Sequence, residues 1–149
     1  STQSRSSAAS DVYKRQTLKP YLDAGKVVPF SGTSEILPGL TGTVHPGHTP
    51  GSAFYTLTSK GEKITFVGDI IHAAAVQFPQ PAVTITYDED ENKAASVREH
   101  AFADFVKNKD LIAAPHLPFP GIGYVTKGEK GGYAWVPVTY TNRDASSAK

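Results

Sequence analysis

Gly47-His48-Thr49-Pro50-Gly51-Ser52 is the stretch on which the reading of this chain turns. It follows the short β-rich run Gly42–Val44, and its glycines let the backbone bend sharply beside an imidazole. Two further stretches share that setting. Phe66-Val67-Gly68-Asp69 closes the run Ile64–Val67, and Ala114-Pro115-His116 closes the run Leu111–Ala114. Each ends a strand pattern on a polar side chain just before irregular backbone. Strand ends hold side chains rigidly while loops leave room for a ligand. Imidazole nitrogen and carboxylate oxygen both suit a first-row divalent metal, and an Asp can bridge two ions.

Working outward, Ala53–Leu57, Val83–Tyr87, Tyr124–Thr126 and Tyr133–Val138 read as strands, as does Val27–Phe30 near the start. Ser59-Lys60-Gly61-Glu62 reads as a hairpin loop. One long helix is signalled after Asp88-Glu89-Asp90-Glu91, where acid suits a helix start. Ala94, Val97, Ala101, Phe102 and Phe105 form its apolar stripe, with Lys107 and Lys109 at the far end. The acidic run itself reads as a solvated helix start. Strands, one helix, then strands predict an α/β or α+β layered domain with a mixed sheet and a flanking helix.

Composition narrows the function classes. The 149 residues carry 15 Lys+Arg against 14 Asp+Glu, a formal charge of +1. That balance argues against nucleic acid as a partner. No apolar run is long enough to cross a bilayer as a helix, so no membrane partner is expected. The absence of cysteine confines metal chemistry to His, Asp and Glu. Residues 1–17, rich in Ser and Ala, read as a disordered leader of non-native origin. Residues 142–149 read as an unpacked tail, which leaves 18–141 as the folded unit.

The ordered set of the three quoted stretches resembles the later metal motifs of the metallo-β-lactamase-fold hydrolases. Successive gaps of 21 and 47 residues between His48, Asp69 and His116 fit that family. Asp69-Ile70-Ile71-His72, Gln77-Phe78-Pro79-Gln80-Pro81, His116-Leu117-Pro118-Phe119-Pro120-Gly121 and Tyr133-Ala134-Trp135-Val136 look most like its methyl-parathion-hydrolase-like members. The resemblance implies the C-terminal half of an αββα sandwich. It further implies two divalent ions, zinc first with manganese, cobalt or iron as alternatives. His48 would bind one ion, Asp69 would bridge both as the catalytic acid group, and His116 would bind the other. The implied reaction is hydrolysis of an ester, lactone or phosphotriester, a small-molecule substrate, by a metal-bound hydroxide. His72 falls beside this set, and Phe78 and Phe119 are candidates to line the substrate pocket.

The family's earlier His-x-His-x-Asp-His motif is missing. The five histidines stand at 45, 48, 72, 100 and 116, and none is followed two residues later by another. The chain therefore reads as a fragment, expected to be inactive alone and to bind metal weakly or not at all. A half-sandwich would also expose a sheet face, for which Tyr55, Phe66 and Ile85 are candidates. The competing reading is a non-catalytic binding domain on the same scaffold. Homo-oligomerisation and compartment stay open; intact relatives of this kind are often exported.

Overall fold

A computed structural model describes residues 15–140. The chain divides into two units, 1–30 and 31–149. In the first, residues 15–23 are helical, with Lys19 and Asp23 paired one turn apart at 2.8 Å. This helix includes 15–17, which the sequence reading had assigned to the disordered leader; residues 1–14 and 141–149 lie outside the described residues. Val27–Phe30 is not a strand. Pro29 removes an N–H that a ladder would need.

The second unit is a seven-stranded sheet in sequential order, with helices in its one crossover. Strands β1 (Thr33–Leu37), β2 (Leu40–Val44), β3 (Ala53–Ser59) and β4 (Glu62–Phe66) form an antiparallel meander. The chain then leaves the sheet through a 3-10 turn at Gly68–Ile70, a short helix α1 (Ala74–Gln77) and the long helix α2 (Glu91–Asn108). It returns as β5 (Leu111–Ala113), parallel to β4, and finishes in the antiparallel strands β6 (Ile122–Lys127) and β7 (Tyr133–Pro137). The sheet is mixed and helix-flanked, as the sequence predicted.

Helix α2 forms for the reasons its sequence advertises. Asp90 caps it, its carboxylate accepting from the Lys93 N–H at 3.0 Å, and Glu91 and Lys107 complement the helix dipole. Its apolar stripe supplies Ala101, Phe102 and Phe105 to the core. These pack with Phe54, Ile112 and Val125 of the sheet and with Val67, Ile70, Ile71, Ala114 and Leu117 of the connecting loops. Phe78 stacks on both Phe102 and Trp135 at ring distances of 5.1 and 5.8 Å. Phe102 is fully buried.

The other sheet face is open. Register sets Tyr55 against Phe66 and Leu57 against Ile64, and runs the second row on to Leu111, Tyr124 and Val136. Tyr55 and Phe66, expected on such a face, are about 40% exposed, at 38% and 43%. Ile85 is not on it. The segment Val83–Tyr87, predicted as a strand, is irregular backbone whose polar groups are taken by side chains. The Val83 carbonyl accepts from Gln77 and Arg98, and the Ile85 N–H donates to Asp88. With those partners it has no need of a ladder.

His45, at the end of β2, lays its ring on Phe54 at 4.0 Å, and burial lowers its pKa below the ordinary 6.5. As pH falls through that ordinary value the unfolded chain takes up a proton that the folded one refuses, so stability drops. Melting temperature should therefore fall between pH 7 and pH 5. In His45→Phe, which keeps the ring stack, the slope should be shallower; an unchanged slope would refute this account of His45.

Candidate metal centre

Topology brings the three quoted stretches to one place. Strands β2, β4 and β5 run in the same direction, since β3 reverses between β2 and β4 and β5 lies parallel to β4. Their carboxyl ends therefore share one end of the sheet, and His48, Asp69 and His116 follow those ends. The Asp69 carboxylate stands between the imidazoles. Its Oδ2 lies 3.5 Å from His48 Nε2 and its Oδ1 lies 3.3 Å from His116 Nε2.

Each side chain is held by local design. The loop carrying His48 is closed at its base by the His45 N–H donating to the Ser52 carbonyl at 2.7 Å. It sits on the start of α2, where the Glu89 and Asp90 N–H groups donate to the His48 and Gly47 carbonyls, both at 3.0 Å. The approach requires glycine at 47, because a Cβ there would come within 2.6 Å of the Ala94 nitrogen. Gly68, at φ +55°, turns the chain out of β4 so that Asp69 enters the site.

A buried carboxylate orients His48. Asp88 Oδ1 lies 2.9 Å from His48 Nδ1, and its side chain is wholly inaccessible. In that bond Nδ1 donates to the carboxylate and Nε2 is turned toward Asp69, the arrangement of a metal-ligating histidine with its supporting acid. Arg98, also buried, lies 3.5 Å from Asp88 Oδ2. Its other donors hold the Ile70 carbonyl at 2.6 Å and the Pro81 and Val83 carbonyls at 2.8 Å each. Burial lowers the Arg98 pKa against the opposing pull of Asp88.

The segment after Asp69 is gripped from a second side. Buried Gln77 accepts from the His72 and Ala73 N–H groups at 2.7 and 3.1 Å. His72 thereby enters the cluster, its ring 4.4 Å from that of His116 and 4.9 Å from that of His48. Burial, then the neighbouring His116 and His48, lower its pKa and favour the neutral ring. One ligand atom from each of His48, Asp69 and His72 lies within 4.8 Å of the others. Two imidazoles and a carboxylate form a donor set that suits a divalent first-row ion.

Among the other sequence candidates, Phe119 is exposed and lines a cavity of about 660 Å³ with Phe66, Leu117 and the residues that precede Asp69 and His116, Gly68 and Pro115. Phe78 lies in the core and does not line that cavity. His100 is exposed on α2 and bonds back to the Ser96 carbonyl.

Sequence reading missed Asp88 and Arg98. It took the acidic run as a solvated helix start, whereas Asp88 is buried. The available signal was Arg98 itself, set four residues after Ala94 and four before Phe102 on a face that must be buried, where a guanidinium needs an acid partner. Arg98→Met takes from buried Asp88 its guanidinium partner and leaves the Ile70 and Pro81 carbonyls without theirs, so chemical denaturation should show a loss of about 3–5 kcal/mol. A loss under about 1 kcal/mol would refute the role given to this pair.

No curated protein sequence matches the chain. Among solved structures, the hydrolase AbOPH of the beta lactamase superfamily is 37% identical with a TM-score of 0.84, over 95% of this chain and 49% of that one. AidC, a dizinc quorum-quenching lactonase solved with a homoserine product, is 28% identical with a TM-score of 0.74, over 80% and 40%. A probable metal-dependent hydrolase from Staphylococcus aureus, at 18% identity and a TM-score of 0.57, shares the fold over 80% and 42%. The chain thus spans half or less of the length of these relatives. A sequence model of the metallo-β-lactamase superfamily matches residues 3–116, and with the convergent His48, Asp69 and His116 in view, the chain belongs to that superfamily.

Proposed function

We propose that this chain forms the C-terminal part of a metal-dependent hydrolase acting on an ester, lactone or phosphotriester. The observation that carries the reading is the Asp69 carboxylate, which offers one oxygen to each of two histidines in loops that follow different strands. His48 and Asp69 would hold one divalent ion, and Asp69 and His116 a second. When bound, such ions polarise the scissile group and make water a nucleophile near neutral pH. Zinc is the first candidate, supported by the dizinc relative AidC.

The chain's own residues then have separate tasks. Asp88 keeps the His48 ring turned so that Nε2 faces the site. Asp69, about half exposed, orients the attacking water. The cavity walled by Phe66, Leu117 and Phe119 takes the apolar part of a small substrate. The lactonase relative, solved with an N-acyl homoserine product, makes lactones the first substrate class to test. The methyl-parathion-hydrolase-like motifs make aryl phosphotriesters the second.

The 149 residues lack the His-x-His-x-Asp-His motif that supplies the remaining family ligands, so the chain alone should show no hydrolysis above background. A chimera carrying the N-terminal half of AbOPH ahead of this chain tests the function. It should hydrolyse a lactone, an aryl ester or a phosphotriester in the presence of zinc. Asp69→Ala should lower its kcat/KM at least about 100-fold. A folded, zinc-loaded chimera that turns over none of the three would contradict the proposal.

A further inference from the structure

Against the weak or absent metal binding expected from the sequence, we propose that the chain by itself binds one divalent ion through His48, Asp69 and His72, with His72 as a ligand in its own right. The inference rests on the reading of His48 and Asp69 as metal-facing groups and adds a member to them. Three protein ligands with water in the remaining position make a sufficient site for one zinc.

Geometry separates this set from the pair of His116 and Asp69. His48 Nε2 and Asp69 Oδ2 are 3.5 Å apart, close to the roughly 3.3–3.5 Å between neighbouring ligand atoms around a four-coordinate zinc. His72 brings a ligand atom within 4.8 Å of both. His116 faces the other oxygen of Asp69 and falls outside this set of three, although its ring stacks on that of His72 at 4.4 Å.

His72 also carries more support than a bystander needs. Gln77, fully buried, spends its carbonyl oxygen on the His72 and Ala73 N–H groups and its amide on the Val83 carbonyl. Arg98 holds the same segment by the Ile70 carbonyl, two residues earlier. The ring so fixed keeps a buried Nδ1 without a hydrogen-bond partner, between two other imidazoles. A buried nitrogen in that state calls for a ligand.

Zinc titration of the 149-residue chain against a chromophoric chelator, with imidazole nitrogen shifts followed by NMR, tests this. One equivalent should bind, and the His48 and His72 ring signals should move together through that equivalent while those of His100 stay. His72→Ala should weaken binding at least about tenfold, and His116→Ala by no more than about threefold. The NMR readout needs no variant to fold. Static His72 signals, His72→Ala binding like the parent, or no zinc bound would each overturn the proposal and leave the hydrolase reading to the chimera. If His48→Ala and Asp69→Ala also bind like the parent, both readings fail.

Discussion

A single buried carboxylate, Asp88, ties the helix to the chemistry. One oxygen fixes the His48 ring and the other faces Arg98. Arg98 in turn holds the backbone on both sides of α1, at Ile70 and at Pro81 and Val83. A charge pair this deep contributes little net stability compared with apolar side chains of the same size. Its value here is positional: it makes the orientation of His48 and the path of the chain after Asp69 depend on the same contact.

That dependence explains why the crossover between β4 and β5 is so irregular. A 3-10 turn, one turn of helix and a loop would be a weak way to cover a sheet on backbone bonding alone. Gln77 and Arg98 instead satisfy the carbonyls and amides that a strand or helix would have paired. Phe78, stacked between Phe102 and Trp135, supplies the apolar weight. The site end of the sheet is thus built from loops made rigid by side chains. The opposite face presents Leu57, Phe66, Tyr124 and Val136 with 39–46% of their surface exposed.

Much of this was readable in advance, and the failures share a cause. His48, Asp69 and His116 could be picked out because each closes a short β-rich run beside glycine or proline. Helix α2 could be placed because acid, stripe and lysines agree. β1 was missed because Thr33–Leu37 has mostly exposed positions and little alternation to read. Val83–Tyr87 alternates convincingly and is still not a strand, since its partners are Gln77, Asp88 and Arg98 rather than another strand. Asp88 was lost in the acidic run for the same reason. Local pattern cannot see a hydrogen bond between residues 40 apart in the chain, such as His48 to Asp88.

If an ion belongs between His48 and Asp69, anomalous diffraction at the zinc edge will locate it there. Crystals of the chain grown with zinc should show a peak about 2.0–2.2 Å from both His48 Nε2 and the Asp69 carboxylate. Zinc found only at surface groups such as His100, with none between those two side chains, would contradict the account.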